Sequence, residues 1–91
     1  MYRLVWTSYF IRAAKKFAKH HPELKKNVAS ILRDLEKDPF QPHIKYHYPR
    51  GKHKGIQAIN ISENFRITMT VLISEKEVHL LDIGSHDEVY R

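Results

Sequence analysis

The spacing of the apolar residues changes near residue 39 of this chain of 91 residues, and that change constrains the fold more than any other feature. Between residues 10 and 35 apolar side chains recur every three or four positions, as on one face of a helix. After residue 39 they recur at every second position, which is typical of strands with one buried face. The chain is expected to form one domain over residues 1–91, because domains commonly hold about 100–200 residues.

The first part predicts a strand followed by two amphipathic helices. Residues 2–6 alternate in polarity, and Thr7 or Ser8 can cap a helix by accepting a hydrogen bond from an early backbone N–H. Pro22 fits the first turn of a second helix, since no backbone N–H is needed there. The short connection between the two helices predicts an antiparallel hairpin.

The second part predicts four strands joined by short connections, at residues 43–48, 56–61, 65–73 and 78–83. In the third strand Ile67 and Met69 share one face, with Arg66 on the other. The expected fold class is α+β in the order β-α-α-β-β-β-β. Its sheet is expected to be twisted and mainly antiparallel, with both helices on one face.

Basic residues are concentrated in two stretches of the chain, whose formal net charge is +6. Residues 1–22 carry five Lys and Arg residues, residues 39–62 carry four, and neither stretch contains an acid. The positive electrostatic field of these stretches favours a polyanion or an acidic protein as partner. The alternative is a basic surface that only keeps the protein soluble.

The chain contains no cysteine, which excludes disulfides, a thiolate nucleophile and cysteine-ligated zinc. No stretch approaches the ~20 apolar residues that a membrane span needs, so no membrane partner is expected. Together these features predict a protein of the reducing cytoplasm.

Arg66 is a candidate phosphate-binding residue near the start of the strand predicted at residues 65–73. Its guanidinium is a permanently charged, planar fork of donors, and Thr68 and Thr70 are expected beside it on a solvated face. The alternative is an ion pair with Glu63 or with an acid on a neighbouring strand.

A basic loop precedes the strand at residues 56–61. Four of its five central positions are basic or titratable: Arg50, Lys52, His53 and Lys54. Such side chains hold an RNA backbone without reading its sequence. A solvated charged turn is the alternative.

His86 and Tyr90 follow the last predicted strand and lie four positions apart. One helical turn would put both side chains on the same side. Histidine can give or take a proton near neutral pH, and tyrosine can donate a hydrogen bond or stack on a base. The alternative is a pair of surface residues on a frayed tail.

A metal site is not predicted, despite seven histidines. His43 and His47 fall in a predicted strand, where they would lie about 13 Å apart, too far to bind one ion. The chain has no HExxH arrangement, and no cofactor is expected.

The whole chain resembles the RelE/ParE superfamily of bacterial toxins from toxin–antitoxin systems. The specific parts of the resemblance are the stretches NFRITMTV at residues 64–71 and VHLLDIGSHDEVYR at residues 78–91. The ending is similar to that of the RNA-cleaving branch, which includes RelE, YoeB and YafQ and cuts mRNA in the ribosomal A site. The alternative is a non-catalytic inhibitory binder such as a ParE-like DNA gyrase poison, a branch that generally lacks the His…Tyr ending.

The resemblance implies a type II toxin that acts as a ribosome-dependent mRNA endonuclease and is neutralised by a cognate antitoxin. The reaction it implies is metal-independent attack by a ribose 2′-OH on the adjacent phosphate. Phosphate binding would belong to Arg66 and the loop at residues 50–54, and proton transfer or base stacking to His86 and Tyr90. Glu63 would match a carboxylate base used by some members.

Overall fold

The computed structural model describes residues 1–44 and 55–89, without the side chain of His43. Within these residues the chain forms β1 (Arg3–Trp6), α1 (Ser8–His20), α2 (Lys25–Lys37), β2 (Gln57–Asn60), β3 (Phe65–Leu72), β4 (Glu77–Ser85) and α3 (His86–Val89). No helix among the described residues is long and apolar enough to cross a membrane.

The strands form one mixed sheet in the order β1-β4-β3-β2. β1 runs parallel to β4, whereas the pairs β2–β3 and β3–β4 are antiparallel. The helix pair between β1 and β2 lets the first strand join the far edge of the sheet, beside the last. The predicted α+β class, with the helices on one side of the sheet, is confirmed.

The strand predicted at residues 43–48 falls mostly outside the described residues. Ile44 itself is the last residue of a short 3-10 helix, Pro42–Ile44, so the prediction is wrong at this position. The Ile44 side chain is buried in the core, which explains its place in the apolar pattern without a strand.

Thr7 caps α1, and it also joins that helix to the sheet. Its hydroxyl oxygen accepts a hydrogen bond from the Phe10 N–H at 3.1 Å and donates one to the Leu80 carbonyl oxygen at 2.8 Å. Pro22 begins a short 3-10 helix, Pro22–Leu24, and α2 begins directly after it. The connection is therefore slightly longer than the sequence pattern predicts.

The core lies between the helix pair and one face of the sheet. Both helices contribute to it, through Phe10, Phe17 and Leu35. The sheet contributes Ile59, Ile67, Met69, Val78, Leu80 and Ile83, and Ile61 joins them directly after β2. Since successive side chains of a strand point to opposite faces, burial of Ile67 and Met69 here puts Arg66 on the face turned away from α1 and α2. We call that face the open face.

Phe10→Ala should lower the free energy of unfolding by about 3–5 kcal/mol, because the ring is fully buried and its removal leaves a cavity. The change can be measured by urea unfolding. The matched control is Tyr9→Ala on the same helix, where the ring is 58% exposed. A loss for Phe10→Ala no larger than that of the control would contradict the description of the core.

Candidate functional site

Arg66 is held between two neighbouring strands near one end of the sheet. It lies opposite Asn60 of β2 and opposite Gly84 of β4. Residues directly opposite each other in a sheet share a face, so all three belong to the open face. The Arg66 side chain is half-buried, with its Nε atom inaccessible to solvent.

A β-bulge decides which face Gly84 occupies. Thr68 lies opposite Asp82, but Met69 lies opposite Leu80, so Leu81 is an extra residue in β4. The extra residue shifts the alternation of β4 by one position. As a result Leu80 and Ile83, three residues apart, both enter the core, and Gly84 lies on the open face with Arg66.

The short helix α3 packs against β3 and β4. A Cβ atom added to Gly84 would lie 2.9 Å from Glu88 Oε1 and 3.2 Å from Glu88 Cβ. The direction of that atom is toward the open face, so Glu88 covers Gly84 on the same side as Arg66. The chain therefore folds back over the open face immediately after β4 ends.

Two hydrogen bonds join the end of β4 to α3. The Ser85 N–H donates to Glu88 Oε1 at 2.8 Å, and the Glu88 N–H donates to Ser85 Oγ at 3.3 Å. Sequence reasoning missed Glu88 as a site residue. The signal was present as the spacing Ser85-x-x-Glu88, which is typical of a helix start.

His86 is the first residue of α3, two positions after Gly84. Its side chain is 63% exposed, and its Nδ1 lies 3.6 Å from Asp87 Oδ1. The predicted helical turn is thus present from His86 to Val89. Tyr90, the other half of the predicted pair, lies outside the described residues.

The centre of the open face differs from the prediction of a solvated surface. Thr68 is only 3% exposed, whereas Thr70 is half-buried and its hydroxyl donates to the Gly55 carbonyl oxygen at 3.1 Å. Arg66 is therefore flanked by a buried threonine rather than by an accessible one. The open face is therefore not solvated at Thr68.

Glu63 is exposed in the turn between β2 and β3, at the same end of the sheet as Arg66 and α3. The predicted basic loop residues lie outside the described residues: Arg50, Lys52, His53 and Lys54. The described end of that loop, Gly55, is bonded to Thr70, about 13 Å along β3 from Arg66. The site predictions for the loop stay predictions.

The other end of the open face carries a charged cluster that the sequence pattern did not indicate. The Arg3 guanidinium forms an ion pair with Glu77, and His79 Nε2 lies 3.0 Å from Glu77 Oε1. The hydrogen bond with His79, followed by that with Arg3, holds the pKa of Glu77 below its ordinary value. His79 lies opposite Thr70, four positions from Arg66 along β3.

A groove of about 610 Å³ lies between α1 and the end of β4. β1 pairs with β4 from Glu77 to Leu80, and the groove begins beyond that pairing. Its charged and titratable lining is basic on the helix side and acidic on β4 and α3: Arg12, Lys16, His20, His21, Asp82 and Glu88. No group of three or more His, Asp or Glu side chains in the described part of the chain is arranged to hold a metal ion.

No protein-family model matches this chain, and no curated protein matches it by sequence. Solved structures of bacterial toxins do match its fold. A metal-bound toxin from Helicobacter pylori superposes with a TM-score of 0.81 at 21% identity, over 99% of this chain and 100% of that one. The YoeB/ParE toxin from Agrobacterium tumefaciens superposes with a TM-score of 0.74 at 19% identity, over 92% and 98%.

A chain of the E. coli DinJ–YafQ toxin–antitoxin complex is also similar, with a TM-score of 0.70 at 15% identity, over 99% of this chain and 98% of that one. These likenesses show the fold. The protein therefore shares its fold with these bacterial toxins, as the resemblance in sequence predicts.

Glu77→Gln should make the free energy of unfolding less sensitive to a fall in pH. The folded-state pKa of Glu77 is lowered, so its ionised form stabilises the fold at pH above the ordinary value of 4.5. That contribution is lost as the pH falls through the lower folded-state value. The wild type should therefore lose more stability than Glu77→Gln between about pH 7 and about pH 3, measured as urea midpoints.

The matched control for this measurement is Glu75→Gln, an exposed glutamate in the turn before β4 whose carboxylate accepts from Ser74 Oγ. This variant should keep the full wild-type loss in acid. Equal acid sensitivity of Glu77→Gln and the wild type would contradict the role given to the Arg3–Glu77–His79 cluster.

Proposed function

We propose that this protein is the toxin of a type II toxin–antitoxin system and that it cuts mRNA bound to the ribosome. The observation that carries the proposal is the shared face of Arg66 and α3, at the end of the sheet where β3 begins and β4 ends. The fold in common with three bacterial toxins supports the toxin role.

The proposed reaction is attack by a ribose 2′-OH on the adjacent phosphate. A bond forms between the 2′-oxygen and phosphorus, and the bond from phosphorus to the 5′-oxygen breaks. The products are a 2′,3′-cyclic phosphate end and a 5′-OH end. A base takes the 2′ proton, an acid protonates the leaving oxygen, and hydrogen-bond donors stabilise the negative charge that grows on the phosphate.

Arg66 would bind the reacting phosphate. Its backbone is fixed by strand pairing on both sides, and its side chain is half-buried, so the guanidinium loses little freedom when a phosphate binds. A fixed positive charge in a partly dehydrated place stabilises the transition state more strongly than a mobile charge in water.

His86 would transfer a proton, because its exposed imidazole stands at the first position of α3. The remaining proposed site residues are the phosphate-binding Arg50, Lys52, His53 and Lys54, the stacking or proton-donating Tyr90, and Glu63 as a possible base. A site with few acid–base groups depends on alignment of the reacting atoms, which a ribosome holding the mRNA would supply.

A cognate antitoxin would neutralise the toxin through an acidic or amphipathic segment that covers its basic surface. The basic side of the α1 groove supports this partner, since Arg12, Lys16 and His20 follow one another at four-residue spacing. A similar chain belongs to the DinJ–YafQ toxin–antitoxin complex.

Arg66→Ala should cut ribosome-bound mRNA about 10²–10³-fold more slowly than the wild type, because it removes a donor to the transition state. Arg66→Lys should fall between the two, since it keeps the charge but not the planar fork. His86→Ala should also lose activity. The measurement is primer extension on a reporter mRNA in a reconstituted translation reaction, with analysis of the cut ends for a 2′,3′-cyclic phosphate.

Matched controls are Arg33→Ala and His20→Ala, which remove exposed side chains of the same types from α2 and α1. Both should cut at the wild-type rate. Wild-type cutting by both Arg66→Ala and His86→Ala would contradict the site. A wild-type protein that leaves mRNA intact but traps cleaved gyrase–DNA complexes would contradict the function and favour the gyrase-poison alternative.

A further inference from the structure

We propose that Glu88 is a positioning residue: with Ser85 it closes a reciprocal cap that fixes the start of α3, and with it His86, at the Arg66 end of the open face. The inference rests on the proposed function, because His86 acts in the site described there. It assigns Glu88 no direct part in the reaction.

The cap consists of the two hydrogen bonds between Ser85 and Glu88. Each residue donates its backbone N–H to the side-chain oxygen of the other, at 2.8 and 3.3 Å. This is the capping-box arrangement, in which two backbone donors that lack a helical partner are satisfied at once. Ser85 is also the last residue of β4, so the cap joins the sheet directly to the helix without an intervening loop.

α3 depends on this cap because it is very short. It has four residues, His86–Val89. Helices far longer than this are marginal in water, since the first turn orders several residues in return for one hydrogen bond. The position of His86 therefore follows from its neighbours Ser85 and Glu88 rather than from helix propensity.

Gly84 allows Glu88 and the cap to pack closely against the end of β4, because it has no Cβ atom. Any Cβ at this position would come within 2.9 Å of Glu88 Oε1 and within 3.2 Å of Glu88 Cβ. The second contact is with the base of the side chain, which cannot move without moving α3. Gly84 and Glu88 are therefore coupled, and Gly84 lies opposite Arg66 in the sheet.

Glu88 has a carboxylate close to a candidate phosphate site, so an acid–base role is the competing explanation. The two roles require different chemistry. A cap needs only an oxygen acceptor, which glutamine also provides, whereas proton transfer needs the ionisable carboxyl group. Replacement by glutamine and by alanine therefore distinguishes them.

The experiment measures kcat and KM for cutting of ribosome-bound mRNA by the full chain. Glu88→Ala should lower kcat by about 10–100-fold, because misplacement of a reacting group by about 1 Å has an effect of this size, with little change in KM. Glu88→Gln should keep most of the wild-type kcat. Ser85→Ala should lower kcat, since it removes the other half of the cap.

Hydrogen exchange of the Ser85 amide tests the cap independently of activity. Exchange should be slow in the wild type and in Glu88→Gln, and faster in Glu88→Ala. Gly84→Ala should also speed exchange and lower kcat, because its Cβ would displace Glu88 and with it the start of α3. The matched control is Glu75→Ala, which removes a serine-bonded carboxylate at the opposite end of β4 and should change neither measurement.

Wild-type kcat in Glu88→Ala, or unchanged exchange at Ser85, would overturn the inference. Equal loss of kcat in Glu88→Gln and Glu88→Ala would overturn it too, in favour of an acid–base role. A wild-type protein that cuts no mRNA would refute the proposed function instead. The exchange measurement would then still support the cap, if Glu88→Ala speeds exchange, or refute it, if exchange is unchanged.

Discussion

The burial of Ile67 and Met69 beneath α1 and α2 is the constraint on which the rest of the structure depends. Because side chains alternate along a strand, these two residues can reach the core only if Arg66 is on the opposite face. A slip of one residue in β3 would put the guanidinium against Phe10 and Phe17, where an unpaired charge is very costly. The apolar core thus determines where the charged residue of the candidate site stands.

A β-bulge at Leu81 allows the single strand β4 to contribute residues both to the core and to the candidate site. Before the bulge, Val78 and Leu80 alternate into the core, and after it the core position moves to Ile83. The phase change brings Gly84 to the open face opposite Arg66. Since Gly84 has no side chain, the next turn of the chain can fold back tightly over it. The start of α3, directly after Ser85, is therefore set relative to Arg66 by the pairing of β4 with β3.

Much of the fold could be predicted from the sequence, because it follows from local patterns. Thr7 as a cap and Arg66 opposite the core face were readable from residue type and spacing, and the structure has both. The burial of Ile44 in a 3-10 helix was not readable, since a single buried apolar residue fits a strand equally well. The cap at Glu88 was readable from its spacing to Ser85.

By itself the sequence determined an apolar pattern that builds a helix pair and a sheet, an excess of positive charge, and the residue types from which a phosphate site can be made. These are short-range properties, set by side chains a few positions apart. Only the tertiary structure decided that Thr68 is buried, that β4 contains an extra residue, and that Glu88 covers Gly84 beside Arg66. Those features depend on how β3 and β4 pair over their whole length, and the pairing is chosen by the packing of a core whose members are distant in the chain.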